Sequence, residues 1–124
     1  MKLRRIEGDY SVARYSPEAT LSGLFAREFC SITRTRKEVT VVCETDLLPA
    51  GMQKKEDGWV CLQVDGVLDF NLTGILNKIT GPLAVAEISI FAVSTYDTDY
   101  VLVKKSFLRA AQGVLEDNGI TFIN

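Results

Sequence analysis

An internal repeat is the feature that most constrains how this chain can fold. Two strings of one type, an apolar residue, a hydroxyl, a glycine and two apolar residues, occur as LSGLF at 21–25 and LTGIL at 72–76. Each string precedes two strand-forming runs around a short polar turn, CSITRT and EVTVVCE in the first half and SIFAVST and DYVLVKK in the second. Each half then closes with a strand that starts at a glycine, GWVCLQV at 58–64 and GITFI at 119–123. The pattern predicts the order strand, helix, strand, strand, helix, strand twice.

This order predicts an α+β protein of the ferredoxin-like type (βαββαβ), in which helices cover one face of an antiparallel sheet. In the second half, apolar residues recur at spacings of three and four and mark the inward sides of two helices: Leu72, Ile75, Leu76, Ile79, Leu83 and Ala86 in one, and Phe107, Leu108, Ala111, Val114 and Leu115 in the other. Pro17 and Pro49 leave little room for the corresponding helices of the first half. We therefore predict a degenerate repeat at 1–66 and a complete one at 67–124, with strand 59–65 shared or exchanged between them.

The second hairpin is apolar on both faces. Ile90 and Ala92 alternate with Phe91 and Val93, whereas an antiparallel strand with one face in water alternates apolar with polar residues. Leaving several such side chains in water would cost several kcal/mol at about 25 cal/mol per Å². We expect the second face to be covered by the other repeat, by a second subunit in a dimer, or by both.

Composition excludes several classes of protein. The chain has 124 residues, a formal net charge of -2 and an isoelectric point near 5.1, which disfavours nucleic acid as the main partner. No apolar run approaches the roughly 18–20 residues that cross a membrane, and no signal-peptide core follows the basic start, so we expect a cytoplasmic location. The basic run at 34–37 is interpreted first as a solvated hairpin tip, with pairing to an acidic bend or to an anionic partner as alternatives.

The sequence disfavours catalysis, cofactors and metal ions. It contains no histidine, which removes the commonest general base and metal ligand, and it has no glycine-rich phosphate loop. Cys30, Cys43 and Cys61 lie singly in apolar stretches, as reduced thiols that pack like small hydrophobic residues do, so a disulfide or metal role is not indicated. The aspartates at 69, 97 and 99 lack calcium-loop spacing. We therefore predict a protein that is not an enzyme.

Residues 68–111, LDFNLTGILNKITGPLAVAEISIFAVSTYDTDYVLVKKSFLRAA, resemble the ACT domain. They are similar in particular to small proteins with two ACT-like units per chain, such as the cytosolic arginine sensors of animals; the first half matches only in outline. The resemblance implies the ferredoxin-like fold and allosteric binding of a small molecule, usually an amino acid, between ACT units. One departure is that Asp69 lies five residues before Gly74, and Thr73 stands where ACT loops usually carry a proline.

The resemblance also implies a location for the ligand. It would lie between the loop that leads into the first helix of one unit and the hairpin of a facing unit, which correspond here to Asp69, Asn71, Leu72, Thr73, Gly74 and Ile75, and to Ser94, Thr95, Tyr96, Asp97, Thr98 and Asp99. Free N–H groups at a helix start suit a carboxylate, a glycine allows close approach, and the acidic bend suits an ammonium or guanidinium group. The alternative is that Thr73 or Asn71 only caps the helix and that residues 96–98 form an ordinary turn.

Taken together, the sequence predicts a regulatory protein that binds a small metabolite and thereby changes an association equilibrium. Its expected partners are an amino acid and either a second copy of the chain or another protein, without nucleic acid or membrane. The rival hypothesis is a structural interaction or dimerisation module with no ligand pocket.

Overall fold

The computed structural model describes residues 1–24, 26–67 and 73–123. The strands are β1 (Lys2–Tyr15), β2 (Ser31–Arg34), β3 (Val39–Glu44), β4 (Lys54–Val64), β5 (Ile90–Ser94), β6 (Asp99–Lys104) and β7 (Thr121–Ile123). The helices are α1 (Ile75–Val85) and α2 (Leu108–Asp117), and single 3-10 turns occupy Thr45–Leu47 and Lys105–Phe107. The described part of the chain is therefore α+β, with a largely antiparallel sheet and two helices, as the sequence predicts.

The chain forms two compact units. The N-terminal unit is Glu7–Trp59, and the C-terminal unit combines Met1–Ile6 with Val60–Asn124. Both β1 and β4 contribute residues to each unit, because the unit boundaries fall within these two long strands.

In the N-terminal unit the strand order is β2-β3-β1-β4. Strand β1 pairs antiparallel with β3, from Tyr10 opposite Glu44 to Tyr15 opposite Val39. The buried residues of this unit include Ala13, Tyr15, Val39, Val41 and Cys43, and leucines from the connecting segments pack against them.

The described residues of segment 16–30 form turns and bends instead of a helix, and the second expected helix is only the 3-10 turn Thr45–Leu47. Pro49 ends the second helix early because a proline cannot donate the hydrogen bond that a helix interior needs, and Gly23, with a φ of 80°, interrupts the first.

In the C-terminal unit the strand order is β1-β4-β6-β5, and β7 pairs parallel with β1. Helices α1 and α2 cover the sheet with the inward side chains that their spacing predicts, Ile79 and Leu83 from α1, and Ala111 and Leu115 from α2. These four side chains are completely buried. Of the remaining predicted positions, Ile75, Leu76, Leu108 and Val114 are partly buried against the same core.

Two positions of the predicted inward sides are wrong. Phe107 is 49% exposed because it ends the 3-10 turn that precedes α2 and so departs from the helix spacing. Ala86 is exposed because it is the C-terminal cap of α1. Leu72 lies outside the described residues.

Strand β6 is buried on both of its faces. Val101 and Val103 belong to the core under the helices, whereas Leu102 points the opposite way and is also fully buried. The expectation from sequence that neither face of the hairpin stays in water therefore holds for β6 only, because β5 has no buried residue and its Ala92 is exposed. Among the described residues, no helix is both long and apolar enough to cross a membrane.

Candidate functional site

The bend at residues 94–99 is first of all a hydrogen-bonded turn. The backbone N–H of Thr95 donates to the Thr98 carbonyl at 2.9 Å, and the Thr95 hydroxyl donates to the same carbonyl at 3.1 Å. The hydroxyl of Thr95 also accepts from the Thr98 N–H at 3.3 Å. The ordinary-turn interpretation therefore explains why a threonine stands at position 95.

Thr98 fastens this bend to the end of β4. Its side chain is buried, and its hydroxyl donates to the Val64 carbonyl at 2.8 Å. Just beyond Val64, Asp65 accepts an ion-paired hydrogen bond from Arg4 at 3.1 Å. The loop toward α1 thus starts beside the bend within the same unit.

The carboxylates of the bend lie toward its outside. Asp97 is exposed, and Asp99 is half-buried at the first position of β6. One oxygen of Asp99 accepts a hydrogen bond from the Ser94 hydroxyl at 2.6 Å. Tyr96 at the tip is 80% exposed. The bend therefore presents negative charge and an aromatic ring at its surface, while its threonines are used internally.

Gly74 caps the start of α1. Its φ of 74° is in the left-handed region that favours glycine, and a Cβ built there would meet no atom within 4 Å. The first helical hydrogen bond runs from the Lys78 N–H to the Gly74 carbonyl at 3.1 Å. Since the capping residue is a glycine, no side chain at that position occupies the free N–H groups of the first turn.

The other loop residues are placed only in part. Thr73 is exposed, and Ile75 is half-buried against the core. Asp69, Asn71 and Leu72 lie outside the described residues. The structure thus brings 94–99 beside the beginning of the loop, and it places Gly74 at an open helix start.

The β2–β3 hairpin closes with a turn of the same kind. The Thr35 N–H donates to the Glu38 carbonyl at 2.9 Å, and the Thr35 hydroxyl accepts from the Glu38 N–H at 3.2 Å. The basic run at 34–37 is interpreted from the sequence as a solvated tip, but its first residue also makes hydrogen bonds within the chain. The Arg34 guanidinium donates to the carbonyls of Pro17 and Ala19, the latter at 2.8 Å, so it holds the start of the segment that replaces a helix.

Two clefts lie away from the predicted site residues. One, of about 480 Å³, lies between α1 and the turn after α2 and is lined by polar side chains that include Asn77, Lys78 and Asn118. The other, of about 400 Å³, lies in the N-terminal unit beside Arg27 and Glu44. Within the described ranges, no three acidic or cysteine side chains converge in a way that could hold a metal ion.

The second cleft is occupied by an ion-pair cluster that sequence reasoning missed. Glu44 is only 3% exposed, and it accepts from the Tyr10 hydroxyl at 3.3 Å and from Arg27 at 3.2 Å. Arg27 also donates to both oxygens of Asp46, at 3.2 and 3.0 Å. The hydrogen bonds from Arg27 lower the pKa of the Asp46 carboxyl. No sequence spacing indicates this cluster, because the cluster depends on a fold contact between a loop and the end of β3.

Comparison with known proteins decides the family. Residues 54–117 match the sequence profile of the ACT domain. The chain belongs to the ACT domain family. ACT domains are regulatory modules rather than catalysts.

Individual relatives agree with this assignment. The putative protein CASTOR3P of Homo sapiens is 32% identical to the chain, over 76% of the chain and 68% of that protein. The crystal structure of protein Atu0741 from Agrobacterium tumefaciens is 33% identical and covers 98% of this chain and 91% of that one, with a TM-score of 0.90. The regulatory subunit of aspartate kinase from Thermus thermophilus, in its ligand-free form, shares the fold at 10% identity, with a TM-score of 0.60 over 94% of this chain and 93% of that one.

Proposed function

We propose that this ACT protein is a regulatory sensor that binds a small metabolite, an amino acid, at an interface between ACT units. The loop of residues 69–75 forms one side of the site, and the bend of residues 94–99 of a facing unit forms the other. The observation that carries the proposal is the start of α1. There, an exposed glycine in the left-handed conformation caps a helix inside the region that matches the ACT profile.

The chemistry of the two sides suits the two ends of an amino acid. The free N–H groups of the first turn of α1 and the positive end of its dipole bind the α-carboxylate. Gly74 lets that carboxylate approach the backbone closely, since a Cβ-sized space there is open. Asp97 and Asp99 supply acceptors for the ammonium group. Thr95 and Thr98 hold the bend in shape rather than touch the ligand, which follows from their internal hydrogen bonds.

The two halves are proposed to be tandem ACT-like repeats, 1–66 and 67–124. The matching Thr35–Glu38 and Thr95–Thr98 turns support this, as does a 3-10 turn directly after the second strand of each hairpin. The described residues of the first repeat form no α-helix, and basic residues stand in place of the acidic bend. That repeat therefore serves as a scaffold and not as a second site of the same chemistry.

The output of binding passes through association with another chain. A ligand at a seam between units shifts an equilibrium between open and closed arrangements only by its difference in affinity for the two. A second copy of this chain or a different protein would then bind more or less tightly to the ligand-bound form.

Thermal melting against each of the twenty amino acids tests the proposal. A specific ligand at about 100 times its dissociation constant should add roughly 2.7 kcal/mol to the free energy of unfolding. Asp97→Asn and Gly74→Ala should each reduce the shift. Gly51→Ala is the matched control for Gly74→Ala, because Gly51 is also left-handed, with φ 94°, and also has open space around it. A shift for none of the amino acids, or an equal shift in Gly74→Ala and wild type, would contradict the proposal.

A docking module without a ligand is the second candidate. Val85 at the end of α1 is 86% exposed and Phe107 before α2 is 49% exposed, and large apolar side chains in water are common where proteins associate. Sedimentation with and without amino acids separates the two candidates, because a docking module assembles identically in both conditions.

A further inference from the structure

The register of the β2–β3 hairpin brings two cysteines opposite each other. Ser31 lies opposite Val42 and Ile32 opposite Val41. Cys30 directly precedes β2, and extending the same register by one residue sets it opposite Cys43. Opposed Cα atoms in an antiparallel pair are about 4.5 or 5.5 Å apart, depending on the type of position. Both separations fall within the roughly 4.4–6.8 Å that a disulfide spans.

The two side chains share one face and one environment. Directly opposed residues of an antiparallel pair project to the same side of the sheet. Cys43 belongs to the buried cluster of the N-terminal unit, and Cys30 packs against that cluster. Burial raises the pKa of Cys43 to about 12, and the nearby Cys30 is the second cause of that shift. Register, packing and electrostatics therefore place the two sulfur atoms near each other.

Arg27 holds the chain that enters β2 in this position. It is three residues before Cys30, and its guanidinium binds Glu44, the neighbour of Cys43, together with Asp46. These contacts fix the approach of Cys30 to the end of β3. The alignment of the cysteines thus depends on both the strand ladder and this ion-pair cluster.

We propose that Cys30 and Cys43 are an oxidation site, at which a peroxide closes a disulfide that fastens the edge strand β2 to β3. The half-buried Cys30 reacts first: its thiolate attacks one peroxide oxygen, an S–O bond forms, the O–O bond breaks, and hydroxide leaves. Cys43 then attacks the oxidised sulfur, an S–S bond forms, the S–O bond breaks, and hydroxide leaves with the Cys43 proton as water. In total, two thiols and one hydrogen peroxide give one disulfide and two waters.

The reaction is slow and its product is stabilising. Burial raises the pKa of both thiols, and the neighbouring Glu44 raises them further, so little thiolate exists at neutral pH. The disulfide closes a loop close to fifteen residues long. Chain entropy alone should lower the unfolding equilibrium constant about 100-fold for such a loop. The site therefore responds to sustained oxidation rather than to brief exposure.

Trypsin provides a direct assay, because Arg34, Arg36 and Lys37 lie between the two cysteines. The protein is incubated overnight with hydrogen peroxide. It is then unfolded in denaturant with N-ethylmaleimide present to alkylate free thiols, digested without reductant and measured by mass spectrometry. Peptides 28–34 and 38–54 should appear joined, lighter than their sum by two hydrogen atoms, and dithiothreitol should separate them. Peptide 56–78 should carry N-ethylmaleimide on Cys61, whose thiol lies in the C-terminal unit.

Two variants make the assay decisive. Cys61→Ser should form the same linked pair, and Cys30→Ser should form none; its substituted side chain is only half-buried, so it should retain the wild-type fold by circular dichroism. Peroxide should lower the unfolding equilibrium constant about 100-fold in Cys61→Ser and leave it unchanged in Cys30→Ser. The proposal is overturned if Cys30 and Cys43 both stay alkylated, if Cys30 advances to sulfinic acid unlinked, or if Cys43 links to Cys61.

Discussion

At the scale of single residues, the threonines of the acidic bend make internal hydrogen bonds that stabilise it, and the sequence alone does not reveal these bonds. Thr95 closes the turn, and Thr98 satisfies a backbone carbonyl at the end of β4. Tyr96 and Asp97 are exposed at the surface of the bend, whereas Asp99 is half-buried and accepts a hydrogen bond from the Ser94 hydroxyl. Fewer residues of the bend are thus free to contact a ligand than the sequence pattern suggests, because Thr95 and Thr98 hold the bend in shape.

Thr98→Val should destabilise the protein. The substitution keeps the shape of the side chain but leaves the Val64 carbonyl without its 2.8 Å donor, which should cost about 1–3 kcal/mol. Urea denaturation measures this loss. Thr33→Val, at an exposed position of β2, is the control and should change stability by less than about 0.5 kcal/mol. Equal effects of the two changes would contradict the role assigned to Thr98.

Cys61 should make the protein sensitive to high pH. Burial raises the pKa of its thiol from 9.0 to about 12, so the unfolded chain loses this proton first as pH rises. The contribution of the neutral thiol is complete below about pH 9 and is lost as pH rises toward 12, at about 1.4 kcal/mol per pH unit. Urea denaturation across this window should show a shallower decline for Cys61→Ala than for wild type. Parallel declines would contradict the burial of this thiol in the folded state.

At the scale of elements, local patterns predicted the hairpins and helices because their signals are local. Polar turns between β-branched runs predicted both hairpins, and apolar spacings of three and four predicted α1 and α2. The first half of strand β1 (Lys2–Tyr15) gives a weaker signal. Its buried Leu3 and Ile6 are three residues apart, and Gly8 has φ 114°, so the alternation by two that marks a strand is interrupted.

Two features of the elements could not be predicted at all. The Arg27 cluster joins a loop to the end of β3, and the opposition of Cys30 and Cys43 requires the hairpin register. Neither leaves a spacing signal in the sequence, because both depend on which residues the fold brings together. The sequence also places the start of α1 too early: its spacing pattern begins at Leu72 with Thr73 or Asn71 as the candidate cap, whereas the helix begins at Ile75 and Gly74 caps it.

Helix α1 offers a matched pair of substitutions. Leu83 is fully buried, and Val85, two residues later, is 86% exposed. Leu83→Ala should lower the free energy of unfolding by about 2–5 kcal/mol, because it removes core contacts and leaves a cavity. Val85→Ala should change it by less than about 0.5 kcal/mol. A large loss at Val85 instead would show that this side chain is covered in solution, which would favour the docking candidate.

At the scale of the whole molecule, the sequence identified the family better than it identified the site. Residues 54–117 match the ACT profile, and the regulatory subunit of an aspartate kinase shares the fold. A family-wide fold follows from apolar patterning that many sequences can satisfy. The ligand depends on a few polar side chains, and three predicted site residues, Asp69, Asn71 and Leu72, lie outside the described part of the chain.

The central claim is that an amino acid binds between the start of α1 and the acidic bend. Titration of the ¹⁵N-labelled protein with the amino acid that most raises its melting temperature tests this claim most directly. Saturable amide shifts should concentrate at Gly74, Ile75 and residues 97–99, and the N-acetylated amino acid amide should produce none of them. Shifts concentrated instead around Asn77 and Asn118, or around Arg27 and Asp46, would contradict the account.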